Sequence, residues 1–504
     1  MTSDPGVEIR AGSAPGNWAA FLAGAASVLA YAPFELSLLA PALLACLWWL
    51  WEDTTPRRAA WIGFWFGFGL FTAGTWWLYI SLNILGGLWP PLALFMMFLL
   101  TAIMGLFIAA KGWLTVFLTP SGGLLRFVVV APAVWTVIEW LRGWVFSGFP
   151  WLSVGYSQPE SLFGALAPVA GVYAVTWACA LCAGLLVALI RGGLIARCSA
   201  PALLLAGVAC LWWLNQQTWT RPTGQELNIT LVQGSIPQDL KWKVAQLEPT
   251  LELYSGLTMA QTDRDLVVWP EAAIPALPFE VRDFLVDLHE KMVARDTQLF
   301  AGILTFDVEQ GEYLNTLWAL GAEDGTYYKR HLVPFGEFFP VPDFVKRWLR
   351  LMNLPSADIA RGADDQELLL AKGVPVAATI CYEIAFGAEQ LAFLPEAQLL
   401  VNVSNDAWFG DSFAPHQHLQ MGQMRSLETG RYLLRATNTG ITAVTTPDGK
   451  VAERIAQFEP GVLNAVVQPR TGATPYVRFG NTLIVSLCAV LAVFGGWFGG
   501  RLNR

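Results

Sequence analysis

The chain has 504 residues, of which 55% are hydrophobic and only 14% are charged, and it carries 24 Trp and a formal net charge of −8. This composition excludes an ordinary soluble globular protein, in which about a quarter of the residues are charged. It is typical of a protein with several apolar membrane segments.

The charged residues are concentrated in one part of the chain. Residues 217–480 contain 32 of the 39 acidic and 21 of the 31 basic residues. We therefore predict a membrane domain of about seven helices over 1–216 and an inserted soluble domain over 217–480. A last membrane helix with a short cytoplasmic tail follows over 481–504.

Eight apolar segments underlie this division. A membrane helix needs about 20 apolar residues to cross a hydrocarbon core of ~30 Å, and most of the segments reach that length. The first two are short and are separated by a Pro-Phe-Glu turn, but the layout still predicts a polytopic helical protein of about eight spans. The segments are 17–32, 36–51, 59–81, 88–110, 125–147, 161–190, 199–216 and 482–499.

Basic residues between these segments predict their orientation, because cytoplasmic loops of membrane proteins are enriched in Lys and Arg. With a cytoplasmic N-terminus, seven spans precede the polar block, which then lies outside the cytoplasm, and the C-terminus is cytoplasmic. The basic residues that fall on the cytoplasmic side are Arg10, Arg57, Arg58, Lys111, Arg126, Arg191, Arg197, Arg501 and Arg504.

Two charged residues, Glu139 and Arg142, lie near the end of the fifth apolar segment. Because they are three residues apart on a helix, they can pair with each other. Charged groups in membrane spans usually face protein or water rather than lipid. Both a local ion pair and a role in substrate binding are compatible with this pattern.

The polar block shows the pattern of an α/β domain. Short runs rich in β-branched residues alternate with longer polar segments, of which 280–295 and 415–435 show helical periodicity. Alternating strands and helices predict one α/β domain, and a block of this length is sufficient for one large core. The predicted strands are 229–232, 266–269, 299–304, 376–380, 399–403 and 441–445.

The most informative stretch of this block is 376–387, where a predicted buried strand ends at Cys381. A thiol at the end of a strand can project into a pocket, and a thiolate is a strong nucleophile. The alternative is that Cys381 is a small buried core residue. Of the seven cysteines it alone lies in 217–480, so in an oxidising compartment it has no disulfide partner within the domain. This favours a catalytic role.

The sequence offers little support for a metal site. Cys179 and Cys182 form a C-x-x-C pair inside an apolar segment, with no second pair to complete a ligand set. His416 and His418 are two residues apart, so on a helix they point in different directions. We therefore predict no metal and no cofactor. No His is placed as an evident base for Cys381.

A thiol nucleophile without a His partner needs another base and a group that stabilises the oxyanion. Glu271 follows the predicted strand 266–269 and Pro270, and Lys329 lies at the end of an extended run after Tyr328. Each has an ordinary alternative, because Glu after Pro is common where a helix begins and Lys is usually solvated.

These segments together resemble the nitrilase (carbon–nitrogen hydrolase) superfamily, and within it the membrane-bound apolipoprotein N-acyltransferase family. The resemblance covers nearly the whole chain, including the arrangement of seven spans before the soluble domain and one after it. It implies an αββα fold for 217–480. The segments that carry it are 231–234, Pro237-Gln238, Lys241-Trp242, Trp269-Pro270-Glu271, Tyr328-Lys329, 334–337, Ile380-Cys381-Tyr382-Glu383 and 402–409.

The resemblance implies a catalytic triad of Glu271, Lys329 and Cys381. Cys381 is the implied nucleophile, Glu271 takes the proton of the thiol and later that of the amine, and Lys329 lies beside the tetrahedral oxyanion. The implied supporting residues are Glu337, Glu383 and Tyr382, and the implied substrate-binding residues are Trp242, Asn405 and Trp408.

The resemblance also implies a ping-pong acyl transfer in the bacterial inner membrane, with the soluble domain in the periplasm. Cys381 takes an acyl chain from a phospholipid, with phosphatidylethanolamine as the expected donor, and forms a thioester. The N-terminal amine of the diacylglyceryl-cysteine of an apolipoprotein then attacks this thioester. We expect a monomer in the bilayer that has no nucleic acid partner.

Aromatic, Gly-bearing segments at 336–355 and 408–414 are predicted to form mobile lids at the membrane face. Two other functions stay open. A membrane-tethered amidase of the nitrilase type would use water in place of the amine and would release free fatty acid. A transporter or receptor would carry polar or broken-helix sites near the membrane midplane, and apart from Glu139 the predicted spans have almost none.

Overall fold

A computed structural model of the chain describes residues 14–120, 122–309, 311–338 and 359–501, which form two compact units. The helical unit comprises the described residues up to Gln217, the segment Asp411–Gln420 and the residues from Phe479 onward. The α/β unit comprises Thr218–Gly410 and Met421–Arg478. The membership of Asp411–Gln420 in the helical unit was not predicted from the sequence.

Within the described residues, eight α-helices of the helical unit lie on the eight predicted apolar segments. They are Ala14–Ala26, Leu39–Leu50, Pro56–Gly74, Pro90–Leu118, Ala131–Arg142, Ala167–Arg191, Leu194–Asn215 and Thr482–Arg501.

Three of these helical segments are long and apolar enough to cross a membrane, namely Pro90–Leu118, Leu162–Arg191 and Leu194–Asn215. The apolar helices Gly16–Ala30, Leu39–Leu50 and Thr482–Phe498 are shorter. Length and composition thus support three membrane helices in the described part of the chain. The count of eight spans stays a prediction.

Glycines allow the helix Pro56–Gly74 to approach two of its neighbours closely. A Cβ atom added to Gly67 would lie 2.8 Å from the Cα atom of Gly105, and one added to Gly69 would lie 3.0 Å from the carbonyl carbon of Phe21. Small residues at such positions let helix backbones pack directly, which is a common basis of helix association in lipid.

A buried ion pair joins two helices of the helical unit. Lys111 Nζ lies 2.5 Å from Glu139 Oε2, and the two side chains are 0% and 2% exposed. The predicted pairing of Glu139 with Arg142 is therefore wrong, because Arg142 instead donates to the carbonyl oxygens of Phe149 and Trp151. Lys111, which was counted among the cytoplasmic loop residues, lies inside the helix Pro90–Leu118.

We expect Lys111→Met to lower the stability of the protein by about 3–5 kcal/mol, because it leaves a buried carboxylate without its cation. The double variant Lys111→Met/Glu139→Gln should recover most of this loss, since neither charge is then buried. The melting temperature of the detergent-purified protein measures both effects. A single variant as stable as the parent protein would contradict the importance of this pair.

The segment Asp411–Gln420 is held by several side-chain contacts within the helical unit. The ring of Phe413 lies 5.1 Å from that of Phe34 and 5.9 Å from that of Trp76. Trp151 Nε1 donates to Gln417 Oε1 at 2.6 Å, and the backbone N–H of Ala32 donates to Gln420 Oε1 at 3.1 Å. These contacts anchor the end of the predicted lid 408–414, and its mobility stays a prediction. The predicted lid 336–355 falls largely outside the described residues.

The α/β unit contains all six predicted strands and several more. Its strands are β1 Arg221–Pro222, β2 Leu227–Gln233, β3 Leu266–Val268, β4 Gln298–Asp307, β5 Glu312–Leu320, β6 Gly325–Tyr328, β7 Ile359–Ala360, β8 Leu369–Ala371, β9 Val374–Ile380, β10 Leu399–Ser404, β11 Leu433–Thr437, β12 Thr442–Thr445, β13 Val451–Ile455, β14 Gly461–Val467 and β15 Arg470–Thr471.

The strands form two mixed sheets and one short pair. The first sheet has the order β14-β2-β3-β4-β5-β6, with β7 beside β5, and the second has the order β13-β12-β11-β10-β9-β8. In the first sheet β2, β3 and β4 are parallel, and in the second β9, β10 and β11 are parallel. The carboxyl ends of parallel neighbours lie at the same edge of a sheet, which is where ligands of open α/β folds bind.

The core of the α/β unit follows the period of two that strands impose on side-chain direction. Leu231 and Val268 face a cluster shared with Ile380 and Val401 of the second sheet, so the two sheets pack face to face. Val232, Val267 and Trp269 belong to a second cluster on the opposite face of the first sheet.

Helices cover the outer faces of both sheets. The helices Val244–Met259 and Arg282–Ala294 contribute Tyr254 and Leu288 to the outer cluster of the first sheet. The helix Ala414–Thr429 approaches the second sheet so closely that a Cβ atom on Gly422 would lie 2.8 Å from Leu433 Cδ2. The predicted αββα layering of the domain is therefore present. The described residues of this region also form the short helices Gln238–Lys241, Gly387–Gln390 and Pro475–Phe479.

Candidate active site

Four predicted site residues follow the ends of strands. Lys329 comes directly after β6, Cys381 after β9 and Asn405 after β10, while Glu271 follows β3 by three residues. Since a strand fixes the backbone up to its last residue, the side chains just beyond it have defined positions. The structure brings Glu271, Lys329 and Cys381 together, and Asn405 also contacts this group.

Cys381 begins a short 3-10 turn, Cys381–Ala385, in a strained backbone conformation. Its φ of 53° lies in the left-handed region, which residues other than Gly rarely adopt. Such strain persists only where the surroundings fix it. Here the Asn402 amide donates to the Cys381 carbonyl oxygen at 3.4 Å, and the backbone N–H of Ile380 donates to Glu383 Oε2 at 2.6 Å. The turn presents a partly buried thiol at the edge of the sheet.

The carboxylate of Glu271 is held by three donors and is 7% exposed. Asn315 Nδ2 donates to Oε1 at 2.8 Å, and Lys329 Nζ lies 3.5 Å from the same oxygen. The backbone N–H of Asn405 donates to Oε2 at 2.8 Å. A carboxylate fixed in this way is placed to accept a proton from a neighbouring group without first reorienting.

Lys329 is almost completely buried, at 1% exposure, and it lies between two carboxylates. Its Nζ is 2.7 Å from Glu337 Oε1 and 3.5 Å from Glu271 Oε1. Burial lowers the pKa of Lys329, but the negative charges of Glu337 and then Glu271 act against burial, and this pKa lies above its ordinary value. The protonated form of Lys329 is therefore favoured.

The surroundings of Cys381 favour the protonated form of its thiol. Burial and the charge of Glu271 raise the pKa of Cys381 above its ordinary value, and the charge of Lys329 opposes them only in part. A thiol with a raised pKa needs a neighbouring group to accept its proton as the sulfur attacks, and the Glu271 carboxylate interacts with this thiol. This arrangement supports nucleophilic attack assisted by a general base.

The two supporting glutamates have different contacts. Glu337 binds Lys329 directly through Oε1, and its Oε2 accepts from the backbone N–H of Val333 at 2.7 Å. Glu383, at 2% exposure, accepts from the backbone N–H groups of Arg330 at 2.5 Å and His331 at 3.0 Å. It also accepts from Ile380 N–H and from the Tyr327 hydroxyl at 3.0 Å. Glu383 thus ties the segment after Lys329 to the turn that carries Cys381.

The sequence matches the profiles of two families, described as Apolipoprotein N-acyltransferase N-terminal domain over residues 23–185 and Carbon-nitrogen hydrolase over residues 228–476. It is 43% identical to the apolipoprotein N-acyltransferase of Methylococcus capsulatus over 91% of this chain and 92% of that protein. It is 40% identical to the apolipoprotein N-acyltransferase of Pseudomonas putida over 97% of this chain and 98% of that protein. The chain belongs to the apolipoprotein N-acyltransferase family.

Membership of the apolipoprotein N-acyltransferase family confirms the predicted resemblance and makes the chain an enzyme with a carbon–nitrogen hydrolase domain. Together with the apolar helices, it supports a membrane protein. Among solved structures, Nit3 of Saccharomyces cerevisiae, a member of branch 10 of the nitrilase superfamily, aligns over 50% of this chain and 93% of its own. The identity of 17% and the TM-score of 0.38 make this likeness too distant to support a conclusion.

The remaining residues that the N-acyltransferase resemblance implied lie in different surroundings. Tyr382 is 8% exposed and packs edge-on against Phe386 at 5.0 Å and His331 at 5.7 Å. Trp242 and Trp408 are 49% and 43% exposed, which leaves their rings accessible. Their role in substrate binding stays a prediction.

The structure adds residues that the sequence did not indicate. Lys241 and Asn315 both contact Glu271. Asn315 had a weak signal, because its amide side chain lies in the mostly apolar second part of β5. Lys241 lies in one of the segments that carry the family resemblance, but no role was assigned to it, since a Lys in a short polar segment is ordinarily solvated.

A second buried network supports the end of β10. Arg435 Nη2 lies 2.7 Å from Asp406 Oδ2, and both side chains are 0% exposed. Ser404, whose hydroxyl interacts with the Cys381 thiol, donates to Asp406 Oδ1 at 2.7 Å. Arg435 also contacts Asn402, the residue that binds the Cys381 carbonyl oxygen. The network fixes the loop that faces the nucleophile.

We expect Glu383→Gln to lower the melting temperature more than Glu337→Gln. An amide at position 383 presents hydrogens to backbone N–H donors, and each buried donor left without an acceptor costs about 1–3 kcal/mol. Glu337 is less buried, and its amide retains an oxygen for Lys329. Thermal unfolding and acyl transfer of both variants test this order. Equal melting temperatures would contradict the inference that Glu383 stabilises the fold by binding the backbone N–H groups of Ile380, Arg330 and His331.

Lys241 makes stability depend on pH in the alkaline range. Burial lowers the pKa of Lys241 from 10.5 to about 8, and the charge of Glu271 opposes this shift. The native state thus loses this proton at lower pH than the unfolded chain. The free energy of unfolding should therefore rise between about pH 8 and pH 10.5. The gain is at most about 3 kcal/mol.

The variant Lys241→Met has no titrating amine at this position, so its stability lacks the pH-dependent gain from Lys241. Between pH 7 and pH 10, the deprotonation of Lys241 raises the melting temperature of the parent protein relative to that of Lys241→Met. The difference in melting temperature, parent minus variant, should therefore increase over this range. The exposed Lys243→Met provides a matched control. An identical pH dependence in the parent protein and Lys241→Met would contradict the lowered pKa.

Proposed function

We propose that the protein transfers an acyl chain from a membrane phospholipid to the N-terminal amine of an apolipoprotein, through a thioester on Cys381. The observation that supports this most directly is the convergence of Glu271 and Lys329 on a strained, partly buried thiol. Family membership supports the substrate classes. The roles of these residues, the thioester and the phospholipid donor are parts of this proposal.

In the first half-reaction, the Cys381 sulfur attacks the ester carbonyl of the phospholipid and Glu271 accepts the thiol proton. Lys329 donates to the tetrahedral oxyanion, a contribution worth about 3–4 kcal/mol in comparable sites. The carbon–oxygen bond to the glycerol then breaks. The departing alkoxide takes the proton from Glu271 and leaves as lysophospholipid, so Glu271 returns to its carboxylate form.

In the second half-reaction, the amine of the diacylglyceryl-cysteine attacks the thioester carbonyl. An α-amine has a pKa of about 8, so a substantial fraction is neutral near pH 7. Glu271 takes the proton that the nitrogen loses as the amide forms. The carbon–sulfur bond breaks, and the thiolate of Cys381 recovers that proton from Glu271.

A membrane location suits both substrates, since each has acyl chains that would cost ~0.8 kcal/mol per CH₂ to withdraw from lipid. We propose that the α/β unit acts in the periplasm at the surface of the inner membrane, with both termini cytoplasmic. Phosphatidylethanolamine is the proposed donor, and the acting form is a monomer.

The test combines the purified protein with phosphatidylethanolamine vesicles and a synthetic diacylated lipopeptide. Mass spectrometry should find triacylated lipopeptide and lysophospholipid in equal amounts. A lipopeptide with an acetylated N-terminus is the matched control and should receive no acyl chain. Free fatty acid in place of triacylated product would instead identify a hydrolase of the amidase type.

A further inference from the structure

The short helix Gln238–Lys241 lies beside the proposed base and carries a buried lysine. Lys241 is 2% exposed, and its Nζ donates to the backbone carbonyl oxygen of Glu271 at 3.1 Å. Burying an ammonium group is costly, so a buried lysine usually serves a specific interaction. Here that interaction is with the main chain of the base and not with its carboxylate.

The contacts of Lys241 form part of a closed ring around Glu271. Asn405 N–H donates to the Glu271 carboxylate at 2.8 Å, and the side chain of the same Asn405 donates to Gln238 Oε1 at 2.8 Å. Gln238 and Lys241 begin and end the same helical turn. Both the carboxylate and the backbone carbonyl of Glu271 are therefore held by one connected set of residues.

Asn438 also binds the segment 236–241 that contains this short helix, through Ile236. Its side chain accepts from Ile236 N–H at 2.9 Å, donates to the Ile236 carbonyl oxygen at 2.8 Å and donates to Asn405 Oδ1 at 3.2 Å. The segment 236–241 therefore has a fixed position, which gives the ammonium group of Lys241 a rigid support.

The backbone around Glu271 needs such support because it is strained and closely packed. Ala272, the next residue, has a φ of 47° in the left-handed region. On the sheet side, a Cβ atom on Gly302 would lie 2.7 Å from Glu271 Cα and 2.6 Å from Ala272 N. Gly302 therefore packs against the turn at Glu271, and Lys241 binds the backbone carbonyl group of Glu271.

We propose that Lys241 is a positioning residue that fixes the backbone of Glu271 and thereby orients its carboxylate toward Cys381. The proposal rests on the proposed role of Glu271 as the base. It also links the base to Trp242, the neighbouring residue with an exposed ring. The lowered pKa of Lys241 is compatible with this role, because a neutral amine still donates a hydrogen bond.

The test measures the rate at which iodoacetamide alkylates Cys381 between pH 6 and pH 10, read by peptide mass spectrometry so that the other cysteines do not contribute. The variants are Lys241→Met, Glu271→Gln and the double variant, with the exposed Lys243→Met as a matched control. Thermal unfolding of each variant separates loss of folding from loss of positioning. This assay needs no lipid, so it is independent of the acyl-transfer assay.

We expect Lys241→Met to slow alkylation about 10- to 100-fold below pH 9, the effect of misplacing a catalytic group by about 1 Å, and to move the pH profile upward. The double variant should be no slower than Glu271→Gln alone, because Lys241 acts through Glu271. The melting temperature at pH 7 should change little, because removal of the buried charge offsets the lost hydrogen bond to the Glu271 carbonyl oxygen.

Three results would overturn the inference: an unchanged alkylation profile in Lys241→Met, effects of the two substitutions that multiply, or alkylation of Glu271→Gln at or above the parental rate. A normal alkylation pattern without any acyl transfer would overturn the proposed function and leave the role of Lys241 standing. If Lys241→Met unfolds at a lower temperature and alkylates at the parental rate, the residue is structural only.

Discussion

Replacement of Cys381 by Ala is expected to abolish the acyl-enzyme and to reduce acyl transfer by about 10⁴-fold or more, which is the scale of removing a nucleophile. Intact mass spectrometry of the parent protein after incubation with phospholipid should show an added mass of one acyl group. Hydroxylamine or a diacylated lipopeptide should remove that mass. The Cys381→Ala variant should show no addition.

Cys210→Ala is the matched control for this experiment, because Cys210 is exposed and lies on an apolar helix of the helical unit. It should retain both the adduct and the transfer activity. An acyl adduct that persists in Cys381→Ala, or an unmodified parent protein that still consumes phospholipid, would remove Cys381 from the role of nucleophile.

Replacement of Lys329 by Met is expected to reduce acyl transfer by about 10²- to 10³-fold, the range observed when an oxyanion donor is removed. The variant should also be less stable, because Glu337 and Glu271 then lie in a buried site without their shared cation. Lys291→Met is a suitable control, since Lys291 is exposed and pairs with Asp287 in the same helix.

A second readout of Lys329→Met distinguishes its charge from its packing. The charge of Lys329 lowers the pKa of Cys381. Without that charge, alkylation of Cys381 should require higher pH than in the parent protein. A transfer rate within tenfold of the parent and an unchanged alkylation profile would together contradict the electrostatic role of Lys329.

The sequence predicted those parts of the site that depend on local patterns. Cys381 and Lys329 were found because each follows an apolar or extended run, and the end of a strand is where a side chain reaches a pocket. The αββα layering follows from alternating strands and helices. Assigning the roles of base to Glu271 and of oxyanion donor to Lys329, however, relied on the family resemblance, since each residue also has an ordinary explanation.

The interactions that sequence reasoning missed join residues far apart in the chain. Glu139 pairs with Lys111, 28 residues away, whereas periodicity along one helix indicates only neighbours such as Arg142. Lys241 contacts Glu271 over 30 residues, and Asn405 contacts it over 134. Such contacts are set by how the elements pack, which a single sequence does not specify.

The assignment of Asp411–Gln420 to the helical unit has a practical consequence for protein engineering. The α/β unit is discontinuous, because the chain leaves it after Gly410 and returns at Met421, inside the helix Ala414–Thr429. Expressing 218–478 as an isolated soluble fragment would therefore expose Phe413 and the buried polar side chains of Gln417 and His418. A soluble version would have to redesign the first turns of this helix and not merely trim the two ends of the chain.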